Sequence, residues 1–357
     1  MGVLLRLAPR DRVTTPLHTP AFATVSKFAQ ILVHLLRVMA ASTVLIVLLS
    51  GGQSRADWPE RPITIIVPFP QGGATDLIGR LLAEKLTMRL GKQVAVENRV
   101  GEVGNVGLRA AAKATPNGYT LLVTTNAALI NLALNPTLSM TSYNTPKDFA
   151  PIAYLGDSPN VIVARPSSEI DSIAGLIAKA KASPGRLTCA SPGIGSSSGM
   201  AVELLELRTG INVNHIALNG SDMALHAVLS GGADIAAIGL GGKIDHIRSG
   251  QLKALVQTGE QRWVDLPNVP TMAEAGIPNA VLETSLMFAA PAGTPVMVID
   301  KLTRATREIL ERPYIKSQML NVGVNLQYEG PDDLQARVMR ELLLWEDIVR
   351  RAGLDKS

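Results

Sequence analysis

Two segments of this sequence bring adjacent glycines, hydroxyls and backbone amides to the same kind of place, a loop that leaves a strand and opens a helix. The first is Pro68-Phe69-Pro70-Gln71-Gly72-Gly73-Ala74-Thr75-Asp76. Gly72 and Gly73 let a ligand approach the main chain, and the amides of a first helical turn lack intrahelical acceptors and carry partial positive charge. An anion suits that position; Thr75 or Asp76 serving as a plain helix cap is the alternative. The second is Ser191-Pro192-Gly193-Ile194-Gly195-Ser196-Ser197-Ser198-Gly199, whose hydroxyls and amides can grip a carboxylate or an amide without supplying net charge. Gly101-Glu102-Val103-Gly104-Asn105 and Thr124-Thr125-Asn126 are further loops at the carboxyl ends of strands, the edge where open α/β sheets bind ligands. The pattern predicts several helix N-termini converging on one cleft.

The same residues could be read as catalytic. Gly195-Ser196-Ser197-Ser198-Gly199 satisfies G-x-S-x-G, and Asp222 or Asp234 followed by His246 supplies a hydrolase chain order. A nucleophile elbow needs its serine at a sharp turn directly after a strand, and six residues separate Ala190 from Ser197, so the geometry disfavours a serine hydrolase. Gly193, Gly195 and Gly199 do not have the dinucleotide spacing, and the loop is far from the first strand. Beyond the N-terminal leader the histidines are His215, His226 and His246, none at metal-ligand spacing, so neither a metal nor a cofactor is expected. Cys189 in Leu-Thr-Cys-Ala-Ser reads as a small core residue, and a lone cysteine forms no intrachain disulfide.

The elements that must position these loops alternate between strand and helix. Strands are expected at Ile63 to Val67, Val94 to Glu97, Thr120 to Thr124, Val161 to Ala164, Leu187 to Ala190, Asn214 to Ala217, Ile235 to Ile238 and Leu252 to Gln257. Helices are expected at Asp76 to Leu90, Asn105 to Lys113, Ile173 to Ala182, Ser197 to Arg208, Ser221 to Leu229, Lys243 to Ser249, Val298 to Leu310 and Pro331 to Arg351. In the last of these Leu334, Val338, Leu342, Trp345 and Val349 form an apolar stripe that belongs to core packing. Such alternation gives parallel sheets with right-handed crossovers, an α/β fold. A body of roughly 300 residues exceeds what one sheet core serves, so two lobes are expected.

Charge separates a leader from that body. Of 34 basic and 30 acidic residues, six basic residues and Asp11 precede Asp57, leaving 28 basic against 29 acidic in the remainder. A nearly neutral body lacks the Lys and Arg surplus that nucleic acid requires. Lys27 and Arg37, the apolar run from Val44 to Leu49, and the small residues Ser54 and Ala56 follow the order of a secretory signal peptide over residues 1–56, cleaved after about Ala56, with Met39 as an alternative start. The apolar run, interrupted upstream by His34 and Arg37, is shorter than the roughly 20 residues of a membrane span. The mature chain is expected to be soluble and exported.

Several segments, taken in order, carry a family resemblance. They are Trp58-Pro59 through Arg61-Pro62-Ile63, Val67-Pro68-Phe69-Pro70 with Gly72-Gly73-Ala74-Thr75-Asp76, Val96-Glu97-Asn98, Pro116-Asn117-Gly118-Tyr119-Thr120-Leu121-Leu122, Asp148-Phe149-Ala150-Pro151, Pro267-Asn268-Val269-Pro270-Thr271 and Pro291-Ala292-Gly293-Thr294-Pro295. Through them residues 58–354 resemble the substrate-binding proteins of tripartite tricarboxylate transporters, the Bug-type periplasmic receptors. The resemblance implies a two-lobed periplasmic-binding-protein type II-like fold, each lobe a mostly parallel sheet flanked by helices, joined by crossover strands. Lobe I would comprise residues 57–155 and 282–357, and lobe II residues 156–281. It implies a monomeric receptor, not an enzyme, that closes on a small organic solute, often a carboxylate, and docks on a membrane permease; presenting the ligand to a membrane sensor is the alternative. Carried over by position, Gly72, Gly73, Ala74, Thr75, Asp76 and Asn126 would bind ligand from lobe I, and Ser191, Gly195, Ser196 and Ser197 from lobe II. The chain departs from the family pattern at Leu218-Asn219-Gly220, at Gly239-Leu240-Gly241-Gly242 and at Thr284-Ser285-Leu286-Met287-Phe288, positions expected to line the pocket and to suit a ligand larger or less polar than a simple dicarboxylate.

Overall fold

The computed structural model describes Met39, residues 58–138 and residues 143–354. The leader expected over residues 1–56, with its cleavage point, lies outside the described residues apart from Met39. Ile63–Val67 (β1) runs parallel to both Val94–Asn98 (β2) and Thr120–Thr125 (β3). Its β-branched residues are almost all buried, as a strand covered on both faces requires. Ala74–Leu90 (α1) and Asn105–Ala112 (α2) make the crossovers. Ile78, Leu82 and Leu86 of α1 are fully buried, and Gly91 in the left-handed conformation ends the helix.

A second parallel group repeats this plan. Thr188–Ser191 (β5) lies between Asn214–Ala217 (β6) and Ile235–Gly239 (β7). Ile173–Ala182 (α3), Ser197–Thr209 (α4), Ser221–Leu229 (α5) and Ile244–Arg248 (α6) connect these strands and Lys253–Gln257 (β8). The parallel flanks are those the alternation predicts. Between them the sheet is antiparallel, because two long strands return through its middle: Phe149–Ala164 (β4) and Glu283–Pro291 (β9). The full order is β2-β1-β3-β9-β4-β7-β5-β6, with β8 and Asn325–Glu329 (β10) also pairing with β4.

β4 changes partners along its length. From Phe149 to Pro159 it pairs with β9, and from Asn160 to Ala164 with β7. Only its last four residues were expected as a strand. Pro151, Gly156 and Pro159 break the earlier part of the run, and the register shifts between Pro151 and Ala153 and between Tyr154 and Gly156 show how the breakers are accommodated. Gly156, at φ 128°, lies where a Cβ would strike the Asn325 carbonyl of β10. Asn160, 1% exposed, ties the strands together where the partners change. Its amide donates to Thr258 Oγ1 at 2.9 Å and its Nδ2 to the Leu282 carbonyl at 2.6 Å.

The helix Ala127–Leu134 (α7) was not foreseen, because AALINLAL is apolar on every side and has no amphipathic period; all eight residues are buried. Val296–Leu310 (α8), Pro313–Asn321 (α9) and Pro331–Ala352 (α10) complete the fold with the short turn Thr145–Asp148. In α10, Leu334, Val338, Trp345 and Val349 are buried and Leu342 packs partly buried against the same core. Cys189 is completely buried in β5, and burial pushes its thiol up to about 12, so it is the inert core residue expected.

The crossover also holds an acid in an unusual state. Glu283, opposite Pro159, is pushed up to about 7 by burial, with the charges of Asp157 and Glu260 adding to the effect. The folded state therefore holds this proton more tightly than the unfolded chain does. The associated stability is complete below the unfolded value and is lost as pH rises toward about 7. Glu283→Gln should accordingly match the native protein in denaturant unfolding near pH 4 and exceed it at pH 8, by up to about 3 kcal/mol. A stability difference that does not change with pH would contradict this assignment.

Candidate functional site

The loop after β1 is held open by its own sequence. Pro68 and Pro70 keep the chain extended, Gly72 turns it at φ 90°, and α1 starts after Gly73 with no side-chain cap. Asp76, 1% exposed, instead braces the loop from behind: it accepts from the Gly72 amide, Arg80 Nε and Asn98 Nδ2, each at 2.9 Å. Burial pushes its carboxyl up, but the Arg80, Gly72 and Asn98 bonds outweigh that and hold it below its ordinary range. The first-turn amides of α1 are thereby left to the loop's open side.

The loop after β5 faces it. Ser196 caps α4, accepting from the Gly199 amide at 3.0 Å while its Oγ donates to the Gly193 carbonyl at 2.6 Å. Ser197 Oγ lies 2.7 Å from Thr284 Oγ1 and donates to Asn160 Oδ1 at 3.3 Å, which fastens this loop to the crossover. Ser191 accepts from the Gly193 amide at 2.9 Å and sits 2.5 Å from His215 Nε2, whose Nδ1 is 3.1 Å from Glu203 Oε1. That chain of contacts has the order of a hydrolytic triad, but Ser191 is 0% exposed and no substrate reaches it. The serine, acid and histidine weighed from sequence do not meet: Asp234 accepts from the Thr188 amide and hydroxyl, and His246 faces Gln251.

Two more helices begin on the same space. At Thr124-Thr125-Asn126 the chain enters α7, where the Ala127 amide donates to Thr125 Oγ1 at 3.1 Å. Asn126 holds β9: its amide donates to the Ser285 carbonyl and its Nδ2 to the Glu283 carbonyl. After β6, Gly220 at φ 107° leads into α5 without a side-chain cap. In its first turn Asp222 forms an ion pair with Lys243 Nζ at 2.7 Å.

These loops enclose a cleft with about 670 Å³ of empty space, open mouth included. Of the residues singled out from sequence, Gly73, Ala74, Thr75, Ser196 and Ser197 line it. Gly72, Asp76, Asn126, Ser191 and Gly195 are not among the lining residues; Gly195 is packed so closely on Asn131 that a Cβ there would collide with it. Thr125 and Ser198, from loops that the sequence names, also line the cleft, as do Ser158, which it does not name, and Ser221 and Asp222, the latter weighed there only as a hydrolase acid. The strand-loop-helix pattern at Asn219-Gly220-Ser221 was the available signal for the last two. Gly220, Gly239, Gly241 and Thr284, from the segments where the chain departs from the family pattern, are on the wall as expected.

Residues 78–354 match the family described as tripartite tricarboxylate transporter family receptor, TctC. The chain is 36% identical over 298 residues to protein BugT of Bordetella pertussis, covering 83% of this chain and 90% of BugT. A solved R. palustris protein with adipate superposes with a TM-score of 0.79 at 29% identity, covering 83% of this chain and 99% of the other. MatC of Rhodopseudomonas palustris with bound malate gives a TM-score of 0.76 at 29% identity, covering 82% and 100%. The chain therefore belongs to the tripartite tricarboxylate transporter receptors, periplasmic solute-binding proteins rather than enzymes.

Proposed function

We propose that this protein captures a small organic carboxylate in the cleft and delivers it to a tripartite tricarboxylate-type membrane permease. The observation that carries this reading is the meeting of four helix starts, those of α1, α4, α5 and α7, on a cleft lined by no lysine or arginine among the described residues. α1 and α5 start after glycines with no side chain to cap them, while Ser196 caps α4 and Thr125 accepts from the first amide of α7. A carboxylate supplies the acceptors that a cap would otherwise provide, and the aligned peptide dipoles favour its charge. The structural relatives solved with adipate and malate support the same ligand class.

In this reading residues 57–155 and 282–357 form lobe I, residues 156–281 form lobe II, and β4 and β9 are the crossovers about which the lobes close. The export leader ends at about Ala56. The glycines at the lips are what permit closure: a Cβ on Gly220 would press on Pro70, and one on Gly241 would collide with Ala74 at the start of α1. Binding shifts the balance between open and closed forms, with no covalent chemistry.

Two measurements test this. In thermal unfolding of the mature chain, short carboxylic acids should raise the melting temperature while their primary amides do not, since only a ligand selective for the native state stabilises it. Equal stabilisation by amides, or none by any acid, would contradict the carboxylate reading. The variant Gly241→Ala should weaken binding of a stabilising acid by about tenfold, equivalent to about 1.4 kcal/mol, and leave the unliganded melting temperature unchanged. Undiminished affinity would mean that these lips do not close on the ligand.

A further inference from the structure

Among the residues lining the cleft Asp222 is the one charged side chain, and its partner is inverted in exposure. Asp222 is 43% exposed, whereas Lys243 is 3% exposed and reaches it from behind with its ammonium at 2.7 Å. A surface ion pair that served only to brace the loop after β7 against α5 would not need to bury the cation. Burying an ammonium is costly unless it is paired, and here the pairing leaves a carboxylate as the face turned to the ligand. Asp222 also sits in the first turn of α5, so its charge neutralises that helix start from within. Anion attraction is thus left to the starts of α1, α4 and α7, at Gly73–Thr75, Ser196–Ser198 and Thr125–Ala127.

We infer that Asp222, held by Lys243, is the specificity-determining residue of the cleft, selecting a ligand with a carboxylate at one end and a hydrogen-bond donor, hydroxyl or ammonium, at the other. This deepens the carboxylate reading above and rests on it. A second carboxylate at that end would face like charge and find no donor on the Asp222 side chain. The Asp222 oxygen not committed to Lys243 accepts from a donor instead.

Affinities of the four-, five- and six-carbon ω-hydroxy acids, ω-amino acids and dicarboxylic acids, measured by titration calorimetry, test the assignment. The native protein should bind the hydroxy or amino acid of the best-fitting length at least about tenfold more tightly than the diacid of that length. Asp222→Asn leaves the buried ammonium uncompensated and should reverse the preference toward the diacid. Lys243→Met leaves the carboxylate uncompensated and should widen the preference for the amino acid. Should either single variant fail to fold, the double variant Asp222→Asn with Lys243→Met, which removes both charges, should bind all three classes within about threefold of one another. Ratios that stay at the native value in the variants that fold, or a native preference for the diacid, would overturn the role of Asp222 while leaving carboxylate capture standing. Failure of every acid to bind the native protein would overturn both.

Discussion

Backbone amides at the start of a helix need acceptors, and two of the helices that open on this cleft, α1 and α5, start after glycines that have no side chain to supply them. Much of the surrounding architecture follows from keeping those amides open yet fixed. Asp76 is close enough to α1 to have capped it in another protein, but its oxygens are occupied by Gly72, Arg80 and Asn98, all behind the loop. Ser191 spends its hydroxyl on the Gly193 turn, and Ser196 both caps α4 and donates to the Gly193 carbonyl. Asn126 is turned toward β9. The polar side chains nearest the cleft thus brace the loops, and the loops present main chain.

The second requirement is that loops from opposite flanks of the sheet stay in register. The strands that link the flanks do this at one buried point. Asn160 joins Thr258 and Leu282 by hydrogen bonds and receives Ser197 and Thr284 on its side-chain oxygen, so the partner change in β4 is bonded directly to the cleft wall. Glu283, between Leu282 and Thr284, holds its proton to near neutrality beside the same cluster. In the lobe-closure reading, a movement of one flank against the other passes through this cluster, within a few residues of the cleft wall.

The sequence made the flanks legible and the centre obscure, for reasons that can be assigned to residues. Amphipathic helices such as Ser221–Leu229 and β-branched runs such as Ile63–Val67 were found at their observed bounds, because one face or both faces meet the core. Most of β4 was missed, since Pro151, Gly156 and Pro159 mask the strand; β9 was missed because its Leu, Met and Ala residues are poor strand markers, and α7 because it is buried all round. Within the site, the strand-loop-helix pattern located the walls, and it placed Gly73–Thr75 and Ser196–Ser197 on the cleft. It could not tell a lining residue from a brace, because that depends on which way a side chain turns: Asp76 and Thr75 are adjacent, and only Thr75 faces the space. Lys243 gave no signal, because its partner lies on a different helix and meets it only in the folded chain.

The claim that main-chain amides hold the ligand is tested most directly by amide proton chemical shifts in a ¹⁵N-labelled sample titrated with 6-hydroxyhexanoate. The account predicts that Ala74, Thr75, Ser197 and Ser198 move downfield together with saturation, as amides do on gaining a charged acceptor. Saturable binding with those four amides unmoved, and the changes located elsewhere on the protein, would contradict it.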